Sequence, residues 1–275
     1  MALDAQCRAM VSDTRAFIDG RPADAAALMR FARSGYGHYT TMQVRAGAVR
    51  GLDVHLARLQ EATRVLFDAA LDADALRAQM RCALAGMTDA SLRISIGAAN
   101  FTARAMPSPA RLEVLMLIDP PAPEIIAPVR LMSMLHSRYL PQLKHGGSFD
   151  VMHLRREARM QGFDDALLLT QEGFVAEGAT FNIGFFHHDA LLWPQAPQLQ
   201  GSTMQMLSQA FRVGGGQVTR QPITRHDIAG LTAGFCCNSG GLWPIVAIDA
   251  HPLPDSESIV ERLRSLLATV EPQAI

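Results

Sequence analysis

The chain has 275 residues, of which 49% are hydrophobic and 19% charged, and its net charge at pH 7 is -1. A chain of this length buries a sizeable core in one large domain or two modest ones. The small net charge, without a basic tail or basic run, gives no electrostatic reason to expect nucleic acid or an anionic membrane as a partner. We therefore expect a small-molecule ligand.

The N-terminal residues and the cysteines predict a cytoplasmic protein. The first residues, MALDAQCRAMVSDTRAF, include Asp4 and lack the apolar core of a signal peptide, and no uncharged apolar run is long enough to cross a bilayer. Cys7, Cys82, Cys236 and Cys237 show no CxxC pair and no metal-binding spacing. We expect reduced thiols that mostly serve packing, and no metal site.

The first part of the chain predicts helices beside a small sheet. HYTTMQV at 38–44 has the β-branched and aromatic residues of a strand. DVHLARLQEATRVLF has apolar residues near helical spacing with Asp53 as its predicted cap, and DADALRAQMRCAL begins a second helix. SLRISIGA and RLEVLMLI then predict two further strands. This part is therefore α plus β.

A proline-rich stretch marks the predicted boundary between two domains. DPPAPEIIAP at 119–128 is predicted to be a linker, because proline cannot extend a helix and suits exposed extended chain. Short strands are predicted after it in VRLMSML, DALLLT, FNIGFFH, ALLWP, GQVTRQP, GFCCNS and PIVAID, with helices at 150–161, after Gly201, and from Ser256 to about Val270. This pattern favours a barrel-like β core. The predicted domains are 1–118 and 129–275.

Lys144, in YLPQLKHGGSFD, is the single lysine among 25 Lys and Arg residues. Arginine stays protonated, whereas a desolvated lysine can lose its proton and form an imine with a carbonyl compound. Pyridoxal phosphate is such a carbonyl compound, and it also needs a phosphate site and an acidic partner for its pyridine nitrogen. The alternative is a solvated surface lysine left by a coding bias towards arginine, and the surrounding residues must decide.

Two downstream stretches contain the features that this cofactor needs. Glu177 lies in a glycine-flanked segment between two apolar strands, where a buried carboxylate requires a cation, either a pyridinium or a structural arginine. LQGSTMQMLSQAF at 199–211 predicts a helix that begins near Ser202 and Thr203. The free N–H groups at its start would suit a phosphate. The alternative is that Ser202 is an ordinary N-cap. CNSGG at 237–241 is a second turn with a hydroxyl group. It either closes over the same anion or has no role beyond turning the chain.

The order of these motifs resembles the class IV aminotransferases. LKHGGSFD, GFDDALLLTQEGFVAEGATFNI, LQGST and NSGGLWPIVAID follow one another as in this family, and GHYTTMQVRAGAVRGLDVHLARLQEA is similar to its N-terminal strand, turn and HxxRL helix. The resemblance covers roughly residues 15–250, and the family includes branched-chain and D-amino acid aminotransferases and aminodeoxychorismate lyase. It implies an α+β fold of type IV, D-amino acid aminotransferase-like, with a small α/β N-terminal domain and a larger C-terminal pseudo-barrel domain.

The resemblance also implies roles for individual residues. Lys144 matches the lysine that forms the Schiff base with pyridoxal 5'-phosphate and then moves the substrate proton, and Glu177 matches the acid facing the pyridine nitrogen. Arg58 matches the arginine on the cofactor phosphate, and Asn182 matches an asparagine with a local structural role. Further phosphate contacts are expected from Ser202, Thr203, Asn238 and Ser239, and substrate contacts from Tyr36, His38, Thr41 and Arg93.

Parts of this implied site stay open. The residues from Tyr36 to Gln43 alternate between two faces of a strand, and the sequence does not say which face borders the substrate. Arg93 is a carboxylate clamp by position, or a strand arginine that faces solvent. Phe149 stands where many of these aminotransferases have a tyrosine that reaches the cofactor's phenolic oxygen. Either another donor replaces that tyrosine, or the Schiff base titrates differently.

The leading prediction is an aminotransferase that moves an amino group between an amino acid and a 2-oxo acid, and the resemblance implies a homodimer. The alternative is aminodeoxychorismate lyase, which releases pyruvate and 4-aminobenzoate. YTTMQV, the pair Lys144–His145 and CNSGGLWP resemble the lyase, and Thr41 matches the threonine linked to its chemistry. IGAANFTARAM and the pair Ser148–Phe149 depart from its pattern.

A third alternative is a noncatalytic protein on the same fold. A binding scaffold has less need of an amine that transfers protons. The retention of Lys144, Glu177 and Arg58 together therefore argues against it.

Overall fold

The computed structural model describes residues 14–102, 104–187, 189–231 and 233–275. By its internal contacts the chain divides into two compact units. The first contains the chain up to Ala122 together with Lys144–Gly147 and Pro272–Ile275, and the second contains Pro123–Leu143 and Ser148–Glu271. The linker at 119–128 and the domain ranges 1–118 and 129–275 stay predictions. The predictions about the first 13 residues, including Cys7, lie outside the described residues.

The first unit is built on one antiparallel sheet. Its strands are β1 (Arg15–Ile18), β2 (Arg21–Pro22), β3 (His38–Arg45), β4 (Ala48–Arg50), β5 (Ala90–Ala98), β6 (Leu112–Asp119) and β16 (Pro272–Ala274). They follow the order β16-β4-β3-β5-β6-β1-β2. Its helices are α1 (Ala25–Ser34), α2 (Leu52–Phe67) and α3 (Ala73–Ala83).

Alternation along β3 separates the two faces of this sheet. His38, Thr40, Met42 and Val44 are buried, while the residues between them are only part-buried. Met42 and Val44 pack with apolar residues of β5, β6, α2 and α3 in the core of this unit. Tyr39 therefore lies on the face of β3 opposite to this core.

Helix α2 begins one residue earlier than its predicted cap. Its N-cap is Gly51, with φ at 68°, a left-handed conformation that favours glycine. Asp53 thus lies in the first turn, where its charge suits the positive end of the helix, and the prediction of Asp53 as the cap is wrong. The second predicted helix, α3, is capped by the Asp72 carboxylate, which accepts from two backbone N–H groups.

The second unit is a mixed sheet with helices. Its strands are β7 (Val129–Leu135), β8 (Asp165–Leu169), β9 (Val175–Gly178), β10 (Asn182–His187), β11 (Ala190–Pro194), β12 (Val218–Gln221), β13 (Ala233–Asn238), β14 (Gly241–Ile248) and β15 (His251–Pro252). Its helices are α4 (Phe149–Met160), α5 (Ser202–Val213), α6 (Ser256–Ala268) and a 3₁₀ turn at Asp227–Gly230.

The strands of the second unit form a curled half-barrel in the order β12-β11-β10-β13-β14-β7-β8-β9, with β15 on β14. Parallel pairs β11–β12, β14–β7 and β7–β8 interrupt the antiparallel ladder. The predicted α+β class with a pseudo-barrel is confirmed. In the described part of the chain, none of the helices combines the length and the apolarity that crossing a bilayer requires.

The predicted elements are confirmed, and the differences fall on short strands and on one helix of ten residues. β7 and β11 have the predicted ends, whereas α1, β1, β4, β9 and β16 were not predicted. The segment around Glu177, predicted to lie between two strands, is itself the four-residue strand β9. It pairs antiparallel with the preceding strand β8, so that Glu177 lies opposite Leu168.

Candidate active site

Lys144 lies in a short segment that pairs with the beginning of β3. Its carbonyl oxygen accepts a hydrogen bond from the Tyr39 N–H at 2.9 Å, and the Gly146 N–H donates to the Gly37 carbonyl at 2.8 Å. The Nζ of Lys144 is 4.9 Å from the centroid of the Tyr39 ring. Backbone pairing within the first unit thus places the single amine side chain of the sequence beside an aromatic ring.

The same face of the sheet presents a guanidinium and a hydroxyl-bearing residue. Thr41 pairs with Arg93 across β3 and β5, and the Arg93 guanidinium carbon is 3.6 Å from the Tyr39 ring centroid. Arg93 is part-buried, and its Nε donates to the Ser95 Oγ at 3.4 Å. Stacking on Tyr39 holds the side chain in place, and its role as a carboxylate clamp stays a prediction.

This face lines a cavity of about 420 Å³ within the first unit. Tyr39 and Arg93 contribute to its wall together with apolar residues such as Leu115 and Leu117. Glu113, which also lines it, accepts a hydrogen bond from the Arg30 Nε at 3.1 Å. The cavity has the size, the apolar lining and the few polar groups typical of a small-molecule site.

His38 and Tyr36 are directed towards α2, although both border the same cavity. His38 is 2% exposed, and its Nε2 is 2.9 Å from the Thr63 Oγ1. The Tyr36 hydroxyl donates to the Leu66 carbonyl at 3.0 Å, and its ring packs edge-on against Phe67. Of the four predicted substrate residues, the structure therefore groups Thr41 and Arg93 on one face and His38 and Tyr36 against the helix.

Arg58, on α2, is a cation without a carboxylate partner among the described residues. Its Nη2 donates to the Thr40 Oγ1 and lies 3.3 Å from the His55 Nδ1, while its buried Nε meets no acceptor in the described part of the chain. Desolvation lowers the pKa of Arg58 to about 10, against a smaller opposing effect of the Tyr39 phenol. A buried cation of this kind requires an anion.

Two histidines near Arg58 are held neutral. Desolvation, with smaller effects of the charges of Arg58 and Lys144, lowers the pKa of His55 to about 3. Desolvation, with a smaller effect of Arg58, lowers the pKa of His38 to about 4. The charges of Arg58 and Lys144 thus act on the same buried histidine, which indicates a local excess of positive charge suited to a phosphate.

Glu177, in the second unit, has the structural arginine that the sequence left as an alternative. Its Oε1 accepts from the Arg138 Nη1 at 2.7 Å, and its Oε2 accepts from the Leu199 N–H at 3.2 Å. Arg138 also donates to the Leu143 carbonyl at 3.0 Å. Because each carboxylate oxygen accepts more than one hydrogen bond, this pairing leaves room for a further donor such as a ring N–H.

Asn182 supports the loop that binds Glu177. Its Nδ2 donates to the Leu199 carbonyl at 2.6 Å and to the Gln198 Oε1 at 3.3 Å. A Cβ on Gly201 would lie 2.0 Å from the Asn182 Oδ1, so only glycine fits at that position without a shift. Asn182 therefore holds the loop before α5 from the strand side, as expected of a structural residue.

The beginning of α5 offers backbone N–H groups that no side chain caps. The N-cap is Gly201, so the alternative that Ser202 is an ordinary N-cap is wrong. Ser202 and Thr203 are both 4% exposed, and the Thr203 hydroxyl donates to the Asn238 carbonyl at 2.8 Å. This bond brings the turn containing Ser239 to the start of the helix. The helix N-terminus is available to an anion.

Phe149 does not provide the hydroxyl that the family tyrosine provides. It is the first residue of α4, is 78% exposed, and stacks on His153 with ring centroids 5.9 Å apart. Tyr39 instead places a phenol-bearing ring beside Lys144 in the first unit. Tyr39 belongs to the strand residues between Tyr36 and Gln43, of which one face was predicted to border the substrate.

Three further residues of these groups were missed, namely Thr40, His55 and Arg138. The spacing of His55 and Arg58 places both on one face of a helix, so the pair was detectable in HLARL. Thr40 and Arg138 carry no comparable local signal. Their roles depend on strand pairing and on a bond between distant residues.

Comparisons with known proteins place this geometry in a family. The model of the amino-transferase class IV family matches residues 37–248. A probable branched-chain-amino-acid aminotransferase of Rickettsia felis is 32% identical over 117 residues, and the match spans only 40% of this chain and 40% of that relative.

Two solved structures share the fold. A hypothetical aminotransferase from Mycobacterium tuberculosis, in its PLP-bound form, is 20% identical with a TM-score of 0.73 and covers 87% of this chain and 90% of that one. The 4-amino-4-deoxychorismate lyase from Pseudomonas aeruginosa is 27% identical with a TM-score of 0.77 and covers 92% of this chain and 97% of that one.

Proposed function

The chain belongs to the class IV aminotransferase family, and from this premise we propose that it is a pyridoxal-phosphate-dependent aminotransferase acting between an amino acid and a 2-oxo acid. One observation carries the proposal most directly. The single lysine of the sequence has its Nζ 4.9 Å from the Tyr39 ring centroid, and the next residue of that strand, Thr40, accepts a hydrogen bond from the Arg58 guanidinium. An imine-forming amine thus lies in the surroundings of a cation that requires an anion.

The residues present fit pyridoxal 5'-phosphate. In the first unit Arg58, whose buried Nε meets no acceptor among the described residues, fits a phosphate. In the second unit the uncapped start of α5 at Ser202 and Thr203, with Asn238 and Ser239 in the adjoining turn, fits one as well. Glu177 would accept the ring N–H, and Lys144 would hold the aldehyde carbon. When bound, this cofactor supplies an aldehyde that captures amines and a ring that withdraws electrons from the neighbouring carbon.

The side chains of this protein have distinct tasks in the proposed reaction. Lys144 would act as acid and base at the reacting carbon of the donor, holding or moving a proton at its Nζ. Arg93, fixed by Tyr39, binds the substrate carboxylate, and Thr41 borders the same surface. Glu177, held by Arg138 and the Leu199 N–H, keeps one orientation for the ring it accepts.

A half-reaction tests the proposal. Purified enzyme mixed with an amino donor alone should release one equivalent of 2-oxo acid per site and change the cofactor's absorbance, and only an added 2-oxo acid should restore the original spectrum. A panel of donors and acceptors with product analysis would identify the substrates. Failure of every amino acid to produce this single turnover would contradict the proposal.

The lyase is the second candidate, because a whole-chain likeness favours it. The Pseudomonas aeruginosa lyase is 27% identical over 92% of this chain, whereas the Rickettsia felis relative matches over 40%. Thr41 also lies on the face that carries Arg93. Release of pyruvate and 4-aminobenzoate from aminodeoxychorismate without any acceptor, and without half-transamination, would establish the lyase instead.

A homodimer and a cytoplasmic location are part of the proposal. The resemblance to the family supports the homodimer, and the exposed Phe149 side chain, at 78%, is available to a second copy. Sedimentation velocity should give twice the chain mass, and a monomer with full activity would contradict the dimer. Cell fractionation tests the location.

A further inference from the structure

Thr40 and His55 form a short hydrogen-bond chain that ends on Arg58. The Thr40 Oγ1 accepts from the Arg58 Nη2 and lies 2.7 Å from the His55 Nδ1. The Arg58 Nη2 is itself 3.3 Å from that same Nδ1. Thr40 is 0% exposed and His55 is 2% exposed, so these contacts are buried.

The direction of this chain follows from the donors and acceptors present. A guanidinium has donors and no acceptor, so the His55 Nδ1 that faces Arg58 must carry its lone pair. The proton of the imidazole then lies on Nε2, and the Thr40 hydroxyl, already accepting from Arg58, donates to Nδ1. Charge-assisted bonds of this kind are stronger than neutral ones and restrict the guanidinium to one rotamer.

We propose that Thr40 and His55 are positioning residues that hold Arg58 ready for a phosphate monoester, with His55 as an obligatory neutral acceptor. The inference rests on the proposed function for the identity of the ligand. Thr40 engages Arg58 Nη2, and the buried Nε, which meets no acceptor among the described residues, remains as a donor for the anion. Without the hydrogen bonds of Thr40 and His55 the Arg58 guanidinium could rotate, and the phosphate would lose an oriented partner.

The test compares two ligands that differ only in the phosphate. The full-length apoenzyme would be titrated with pyridoxal phosphate and with pyridoxal, and Kd measured for each by absorbance. We expect Thr40→Val and His55→Leu each to raise the Kd of pyridoxal phosphate about tenfold and to change the Kd of pyridoxal less than about twofold. Thr40→Ser and His55→Asn, which retain the hydroxyl and an acceptor oxygen, should stay within about threefold of the wild type for both ligands.

Thr63→Val is the matched control. It breaks the equally buried contact between the Thr63 Oγ1 and the His38 Nε2, at 2.9 Å, which does not touch Arg58. This variant should leave the ratio of the two Kd values unchanged. Equal weakening of both ligands by Thr40→Val and His55→Leu, or a changed ratio in Thr63→Val, would overturn the inference.

A measurement on the wild type covers the case in which the variants do not fold. Nitrogen-15 spectra of histidine-labelled protein, with His55 assigned through His55→Asn, should show a neutral ring protonated on Nε2 at pH 6. A proton on Nδ1 would overturn the inference whatever the variants do. Failure of the wild type to bind pyridoxal phosphate at all would instead overturn the proposed function, and the phosphate role of Arg58 with it.

Discussion

The two units balance the charged groups of the predicted site in different ways. In the first, Arg58 has a buried Nε with no acceptor and no carboxylate partner among the described residues. In the second, Glu177 is bound by Arg138 and by a backbone N–H. An unbalanced buried cation awaits an anionic ligand, whereas a paired carboxylate is satisfied without one. We therefore expect an anionic ligand to raise the free energy of unfolding of the first unit more than that of the second.

The largest expected effect is that of Lys144→Arg, which keeps the positive charge of the first unit but removes its amine. Turnover should fall by at least about a thousandfold, because guanidinium neither forms the imine nor transfers the proton. Borohydride treatment followed by peptide mass spectrometry should locate the cofactor on Lys144 in the wild type and nowhere in the variant. Cofactor found on another residue would contradict the assignment.

Glu177→Gln examines the paired carboxylate of the second unit. Turnover should fall by about a hundredfold, because a neutral amide cannot balance a protonated ring. The variant should also lose about 2 kcal/mol of stability, since the Arg138 side chain, only 16% exposed, loses its anionic partner.

A matched control separates these two effects of Glu177→Gln. Arg138→Gln should reduce stability by a similar amount and yet retain more activity, because the carboxylate remains. The measurements are urea unfolding and steady-state kinetics. If Glu177→Gln were as active as the wild type, the predicted role of Glu177 at the cofactor ring would be wrong and only its structural role would remain.

The pH dependence of stability should arise in the first unit. The pKa of His38 is lowered to about 4 and that of His55 to about 3, mainly by desolvation. Below the ordinary histidine pKa near 6.5 the unfolded chain binds protons that the folded chain does not. The free energy of unfolding therefore decreases as the pH is lowered. Between pH 7 and pH 5 each histidine should remove about 2 kcal/mol.

Urea unfolding at these two pH values checks the linkage. His38→Gln and His55→Asn should each remove about half of the acid sensitivity, because neither amide titrates. An unchanged loss in the double variant would contradict the assignment. Above pH 7 both histidines are neutral in either state, so the two variants should then show no pH-dependent difference from the wild type.

The smallest expected effect concerns the ring of Tyr39, on which Arg93 stacks. Tyr39→Leu should raise the KM of carboxylic acid substrates about tenfold, since the guanidinium loses its support. Tyr39→Phe keeps the ring and should raise KM much less. In an Arg93→Gln background, Tyr39→Leu should add little, and full additivity of the two changes would show that Tyr39 does not act through Arg93.

Much of the fold was predictable because its signals are local. The alternation in HYTTMQV and the apolar spacing in DVHLARLQEATRVLF depend on neighbouring residues, and β3 and α2 follow them closely. The predicted family and the α+β fold are confirmed as well. The roles of Asn182 and Ser202 in the site stay predictions. A Cβ at residue 201 would lie 2.0 Å from the Asn182 Oδ1, which explains the glycine there.

The sequence by itself determined the chemical inventory: one lysine, its motif order, and the amphipathic pattern of each element. Tertiary structure alone decided which residues share a surface. Pairing of residue 39 with residue 144 set Tyr39 beside the amine, and Arg138 rather than a nearer residue became the partner of Glu177. β16 joined β4 from the far end of the chain. Such contacts depend on the packing of distant segments, which no local period records.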